Sequence, residues 1–97
     1  MKSSAAELAK KLKVSQARGL EAILKADLLD AVLKTVKKEA TTHAEIAARS
    51  GLPRSAVTGI LSGSLQHVTL DRILRLVQAV GLTAQIRVRK QPARDAA

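Results

Sequence analysis

The groups able to do acid, base or nucleophilic chemistry in this 97-residue chain are few. Catalysis needs a nucleophile and a base within reach of one another. His43 and His67 are the two histidines, and neither the serines nor the eight carboxylates fall into a recognisable catalytic spacing around them. Ser55 and Ser62 read as contact or capping residues, because no base accompanies them. Cysteine is absent, which excludes disulfides and thiolate metal sites. His67 stands in a loop with no metal-ligand set beside it and is expected to be solvent-exposed or next to phosphate. An enzyme is therefore not expected, and no metal or cofactor is implied. Positive charge is what the chain has in surplus: 17 Lys plus Arg against 8 Asp plus Glu, a net +9. Such a chain is attracted to polyanions such as duplex DNA, RNA or an anionic membrane. There is no Phe, Tyr or Trp to stack on bases, so binding of single strands by stacking is disfavoured.

The surplus is distributed, +4 over residues 1–40, +2 over 41–80 and +3 over 81–97, so this is not a neutral domain with a basic tail. The length suits one domain with one small aliphatic core. The first residues, MKSSAAELAKKLKV, interleave lysine with apolar residues and lack the apolar run of a signal peptide. No window approaches the roughly 20 apolar residues of a membrane span, and cytoplasmic residence without membrane contact is expected.

Helical spacing organises most of the chain. Residues 4–13 read as a short amphipathic helix, 14–19 as a break and 20–39 as a longer helix, with Leu20, Ile23, Leu24, Leu28, Ala31, Val32 and Val36 on one face, widened by Leu29 and Leu33. The weak apolar face of the first helix suits packing on its own domain or a partner better than a membrane surface. Lys34, Lys37 and Lys38 match the negative end of the second helix, whether as solvated residues or as phosphate contacts. Thr42-His43-Ala44-Glu45 has the form of a capping box and starts a third helix, which Gly51 ends after about two turns. Pro53 is pre-set for a helix start, and the fourth helix runs from Arg54 to about Ser62. Thr69 caps a fifth, with Leu70, Ile73, Leu74, Val77 and Val80 at helical spacing and Gly81 closing it.

The period then changes. Leu82, Ala84, Ile86 and Val88 alternate with polar residues, which predicts a strand. A lone strand leaves backbone groups unpaired. It must either pair with the same strand of a second copy or lie over the helices of its own subunit. Pairing across a two-fold axis gives the strand the hydrogen-bonding partner that the alternative leaves it without, and is the expected arrangement.

The stretch from His43 to Ile60 has the form of two short helices joined by a tight turn, the helix-turn-helix unit. Counted from His43, Ala47 is fifth and must be small for the helices to approach. Gly51 is ninth and must adopt the turn. Val57 and Ile60, fifteenth and eighteenth, fill the angle between the helices. On these residues the sequence resembles the Xre and lambda-repressor-like family of DNA-binding proteins, over roughly His43 to Val80, with residues 20–39 as the preceding helix.

The resemblance implies that the second helix of the unit enters the major groove of duplex DNA. It makes Arg54, Ser55, Thr58 and Gly59 the base-contacting positions, with Arg54 able to donate two bonds to a guanine. His43, Ser62, Gly63 and Ser64 become the phosphate-contacting positions. Two departures stand out. Pro53 replaces the Ser or Thr cap usual in the family, and Gly59 replaces a larger polar residue. Base readout then rests on few side chains, with phosphate contacts and DNA shape supplying the rest. The GLPRS phrase also resembles winged-helix regulators of the IclR type, but those continue into a two-stranded wing where this chain continues into a capped helix.

The segment TLDRILRLVQAVGLTAQIRVRK resembles the antitoxin branch of the Xre-like family, HipB-like and HigA-like proteins. That implies a repressor of its own operon that also holds a toxin protein, although solitary regulators share the architecture. The sequence thus predicts a mostly all-α, five-helix lambda-repressor-like domain with one C-terminal β-strand. Residues 1–19 form an N-terminal helix and break, 20–81 the helix-turn-helix domain, 82–90 the dimerisation strand (Leu82, Ala84, Ile86, Val88) and 91–97 a flexible tail. The expected function is that of a dimeric, sequence-specific repressor on a pseudo-palindromic operator. The alternative is a non-catalytic protein-interaction module that binds DNA only non-specifically.

Overall fold

The computed structural model describes the backbone of residues 5–90 and the side chains of residues 16–90. Four helices follow in order: α1 (Ala5–Glu39), α2 (His43–Ser50), α3 (Arg54–Leu61) and α4 (Leu70–Ala79). The expected break at residues 14–19 does not form, so the first two predicted helices are one helix of 35 residues and the count is four, not five. Glycine costs a helix interior only about 1 kcal/mol relative to alanine. Gly19 is flanked by Ala17, Leu20, Glu21 and Ala22, strong helix formers, and the first proline of the chain is Pro53. A helix of 35 residues spans about 52 Å at 1.5 Å per residue, which matches the longest extent of the molecule, 50 Å.

The C-terminal half of α1 packs on α4 and touches α3, while α2 packs on α3 and α4. Leu29 and Val32 of α1 meet Ile46 of α2, Val57 and Ile60 of α3, and Ile73, Leu76 and Val77 of α4 in one aliphatic core. Ile46, Val57, Ile73, Leu76 and Val32 are its fully buried members, and each such side chain contributes roughly 1.5–3 kcal/mol by leaving water. The N-terminal half of α1 runs past this core. Leu20 and Ile23, expected on the buried face, are 60% and 59% exposed. The docking expected of residues 4–13, and the tail expected at 91–97, lie outside the described side chains and residues.

α4 ends as its sequence predicts. Gly81 takes the left-handed conformation at φ 82°, and the amides of Gly81 and Leu82 turn back to the carbonyls of Gln78 and Val77. After it no strand forms, and Leu82–Lys90 has no ladder partner, among the described residues. The segment instead passes beside α1. Leu82 packs against the core, Ala84 and Ile86 line a groove with Leu24, Leu28, Leu70 and Leu74, and Val88 stands 88% exposed. No helix of the described residues is long and apolar enough to cross a membrane.

Candidate nucleic-acid interface

The local sequence builds the α2-turn-α3 unit from both ends. At the start of α2 the Thr42 hydroxyl accepts from the Glu45 amide at 3.1 Å, and the Glu45 carboxylate accepts in return from the Thr42 amide at 3.2 Å. This capping box satisfies two amides that a helix start would leave bare. The amide of Thr42 pulls the Glu45 carboxyl below its ordinary pKa, the Thr42 hydroxyl adds to this, and Arg49 one turn on helps further against a slight cost of desolvation. At the far end Gly51 sits at φ 75° and its amide donates to the Ala47 carbonyl, which stops α2.

The turn is then tied from inside. The Ser50 hydroxyl, buried under the junction, donates to the Ala47 carbonyl and accepts from the Leu52 amide at 3.2 Å. Pro53 caps α3 with its carbonyl alone, which accepts from the Val57 amide at 3.1 Å. Val57 and Ile60 turn one side of α3 into the core, so the other side faces out.

On that outer side lie Arg54, Ser55 and Thr58, all exposed, with Gly59 half-buried beside them. A Cβ at Gly59 would meet nothing within 4 Å, so this stretch of α3 is open. His43 does not stand apart at the start of α2. Its Nδ1 lies 2.9 Å from the Thr58 hydroxyl oxygen, which joins the expected phosphate-contacting residue to an expected base-contacting one. Sequence spacing gave no hint of that bond beyond placing both residues on the exposed side of the unit.

At the end of α3 the Ser62 hydroxyl donates to the Gly59 carbonyl at 2.8 Å, and the amides of Gly63 and Ser64 donate to the carbonyls of Ile60 and Gly59. These two amides, expected to face phosphate, are committed within the turn. The Ser62 hydrogen is committed in the same turn, so the exposed hydroxyl of Ser64 is the donor left there. His67 is exposed in the loop that follows, in left-handed backbone at φ 65°.

The charge around this unit is uneven. Among the described residues four ion pairs, Glu21–Lys25, Asp30–Lys34, Glu45–Arg49 and Asp71–Arg75, each lie one turn apart within a single helix. The Asp30 carboxylate holds the Lys34 amine above its ordinary pKa, mainly through the hydrogen bond between them. Arg54, Arg72, Lys37 and Lys38 belong to none of these pairs. Lys37 and Lys38 occupy the last turn of α1, a few residues before the start of α2. Arg49 also reaches the Ala79 carbonyl at 3.4 Å, joining the C-terminal ends of α2 and α4. Among the described residues no group of three or more His, Cys, Asp or Glu side chains is placed to hold a metal ion.

Comparison with known proteins agrees with this geometry. A family profile described as a helix-turn-helix domain matches residues 9–89. A solved structure assigned by name to the XRE family of transcriptional regulators is similar at a TM-score of 0.65 and 26% sequence identity, over 79% of this chain and 86% of the other. A comparison with curated proteins gives no match.

Proposed function

We infer that this chain, which belongs to the helix-turn-helix domain family, is an XRE-like DNA-binding transcriptional regulator that reads duplex DNA with α3. The observation that carries the reading is the two-sidedness of α3. Val57 and Ile60 are buried and fix its orientation, while Arg54, Ser55 and Thr58 project from the opposite side with open space at Gly59. A short helix so held fits the major groove, and the N-terminus of α2 then meets the flanking phosphate. Arg54 donates to a guanine edge, Ser55 and Thr58 contact neighbouring bases, and His43 and Ser64 contact phosphate. Lys37 and Lys38 add unpaired positive charge beside the start of α2.

The regulator acts as a dimeric repressor on a pseudo-palindromic site, with two α3 helices in major grooves about one helical turn apart. Supporting the dimer, the backbone of Thr83–Lys90 makes no backbone hydrogen bond among the described residues. Leu20, Ile86 and Val88 are exposed and line one groove on the same flank. Ala84, Ile86 and Val88 are the contacts offered to the second copy, with Leu82 committed to its own core.

The same exposed face supports a second reading, a module whose main partner is a protein. In an antitoxin that partner is the toxin; in a solitary regulator the second copy covers the face, and the free backbone of Thr83–Lys90 favours that occupant. Replacing Arg54 by Ala separates the readings. The DNA reader loses its operator preference with its melting curve unchanged, whereas a protein-interaction module binds DNA as before.

A further inference from the structure

The bond between His43 and Thr58 fixes more than the packing of two helices. A hydroxyl has one hydrogen to give and two lone pairs, and a neutral imidazole has one N–H and one bare nitrogen. With Nδ1 at 2.9 Å from the Thr58 oxygen, two arrangements of hydrogens are open. Either Thr58 donates to a bare Nδ1 and Nε2 carries the ring hydrogen, or Nδ1–H donates to Thr58 and Nε2 is bare.

DNA docking chooses between them. His43 is the first residue of α2. The capping box takes up the amides of Thr42 and Glu45, and a helix start with its remaining amides and positive dipole end is where phosphate docks. A phosphate beside the ring is stabilised by Nε2–H and repelled by a lone pair there. With the ring neutral, the bound form therefore has the first arrangement, in which the only hydrogen of Thr58 is already given to His43; a doubly protonated ring would donate from both nitrogens and leave that hydrogen free.

Resting on the DNA-reading role assigned to α3 above, we propose that Thr58 meets the base edge purely as an acceptor. The partner that satisfies it is an amino group, N6 of adenine or N4 of cytosine, and the O6 and N7 of guanine and O4 of thymine are rejected. Each base pair carries one amino group in the major groove, so the selection is one of orientation. Adenine or cytosine, and not thymine or guanine, stands on the strand that residue 58 faces. His43 thereby acts as a positioning residue for specificity, setting the hydrogen-bond polarity of a side chain it does not share a helix with.

The test is a selection from randomised duplex DNA with the full chain at about pH 8, above the ordinary histidine range, run in parallel for the wild type, Thr58→Val, Thr58→Ser and His43→Ala. The base pair read by residue 58 is the one whose profile changes in Thr58→Val. At that position the wild type and Thr58→Ser prefer adenine or cytosine by roughly three- to tenfold, the worth of one hydrogen bond. Thr58→Val loses the preference. His43→Ala frees the hydroxyl hydrogen and brings guanine and thymine to within about twofold of the favoured bases at the same position. A wild-type preference for guanine or thymine there, or a His43→Ala profile identical to wild type, overturns the proposal while leaving α3 as the reading helix. Absence of any base preference at any position overturns the reading of α3 itself, and this proposal with it.

Discussion

Thr42 and Glu45 hold one another through three hydrogen bonds: hydroxyl from the Glu45 amide at 3.1 Å, and carboxylate from the Thr42 amide at 3.2 Å and the Thr42 hydroxyl at 3.0 Å. The start of α2, where phosphate would dock, is thus shaped before any ligand arrives. Replacing Thr42 by Ala removes the side-chain half of this arrangement and is expected to cost about 1 kcal/mol. In a domain of this size that lowers Tm by about 4–8 °C, readable by circular dichroism.

The same pair makes stability depend on acid. The Thr42 amide, then the Thr42 hydroxyl and Arg49, lower the Glu45 pKa from its ordinary 4.5. The folded chain therefore holds the Glu45 proton less tightly than the unfolded one. The stabilisation is present above pH 4.5 and is lost as pH falls through the lower folded value. Glu45 is exposed to solvent, so the effect is small. The gap in Tm between wild type and Glu45→Gln is expected to be widest near neutrality and to narrow steadily below pH 4.5. A gap that widens toward acid would contradict this.

One substitution should have opposite signs at two glycines. Gly51 lies at φ 75°, where an L side chain costs about 1–2 kcal/mol. The nearest atom to an added Cβ is Arg75 Nη1 at 4.0 Å, an ordinary contact, so the cost of Gly51→Ala comes from the backbone and not from collision. Gly59 is helical with nothing within 4 Å of its Cβ position, and Gly59→Ala should stabilise by up to about 1 kcal/mol. Urea unfolding of the two variants checks both signs.

Ile86 and Val88 are 62% and 88% exposed in the single chain. Replacing both by Asp should leave the fold of one subunit untouched and convert a dimer to monomers, with weaker binding to a palindromic duplex. Sedimentation equilibrium reads the mass directly, and an unchanged dimer would place the two-fold contact elsewhere.

Much of this architecture is legible in the residues. Capping signals at Thr42 and Thr69, stop signals at Gly51 and Gly81, and Pro53 before Arg54 mark α2, α3 and α4 to within a residue or two, because each acts through local backbone chemistry. What is not legible is set by neighbours. Gly19 looks like a break, yet its cost is smaller than what the flanking helix formers supply, and α1 runs through. Leu20 and Ile23 keep the core periodicity although, among the described residues, no other helix reaches far enough along α1 to cover them. The alternation after Gly81 is present in the sequence, but a strand is a property of two segments, and among the described residues no second segment pairs with this one. The His43–Thr58 bond depends on the angle between two helices and has no sequence signature of its own.

Reading of base sequence in duplex DNA is the role proposed for α3. It is tested most directly by fluorescence anisotropy of a labelled duplex from the promoter upstream of the gene, against a scrambled duplex, titrated across salt. A labelled ligand suits a chain without Trp or Tyr. A preference of roughly 10³ or more for the promoter that persists as salt rises, and that Arg54→Ala abolishes, is the predicted result. Equal affinities for the two duplexes that fall together with salt would mean counterion release alone and would contradict the account.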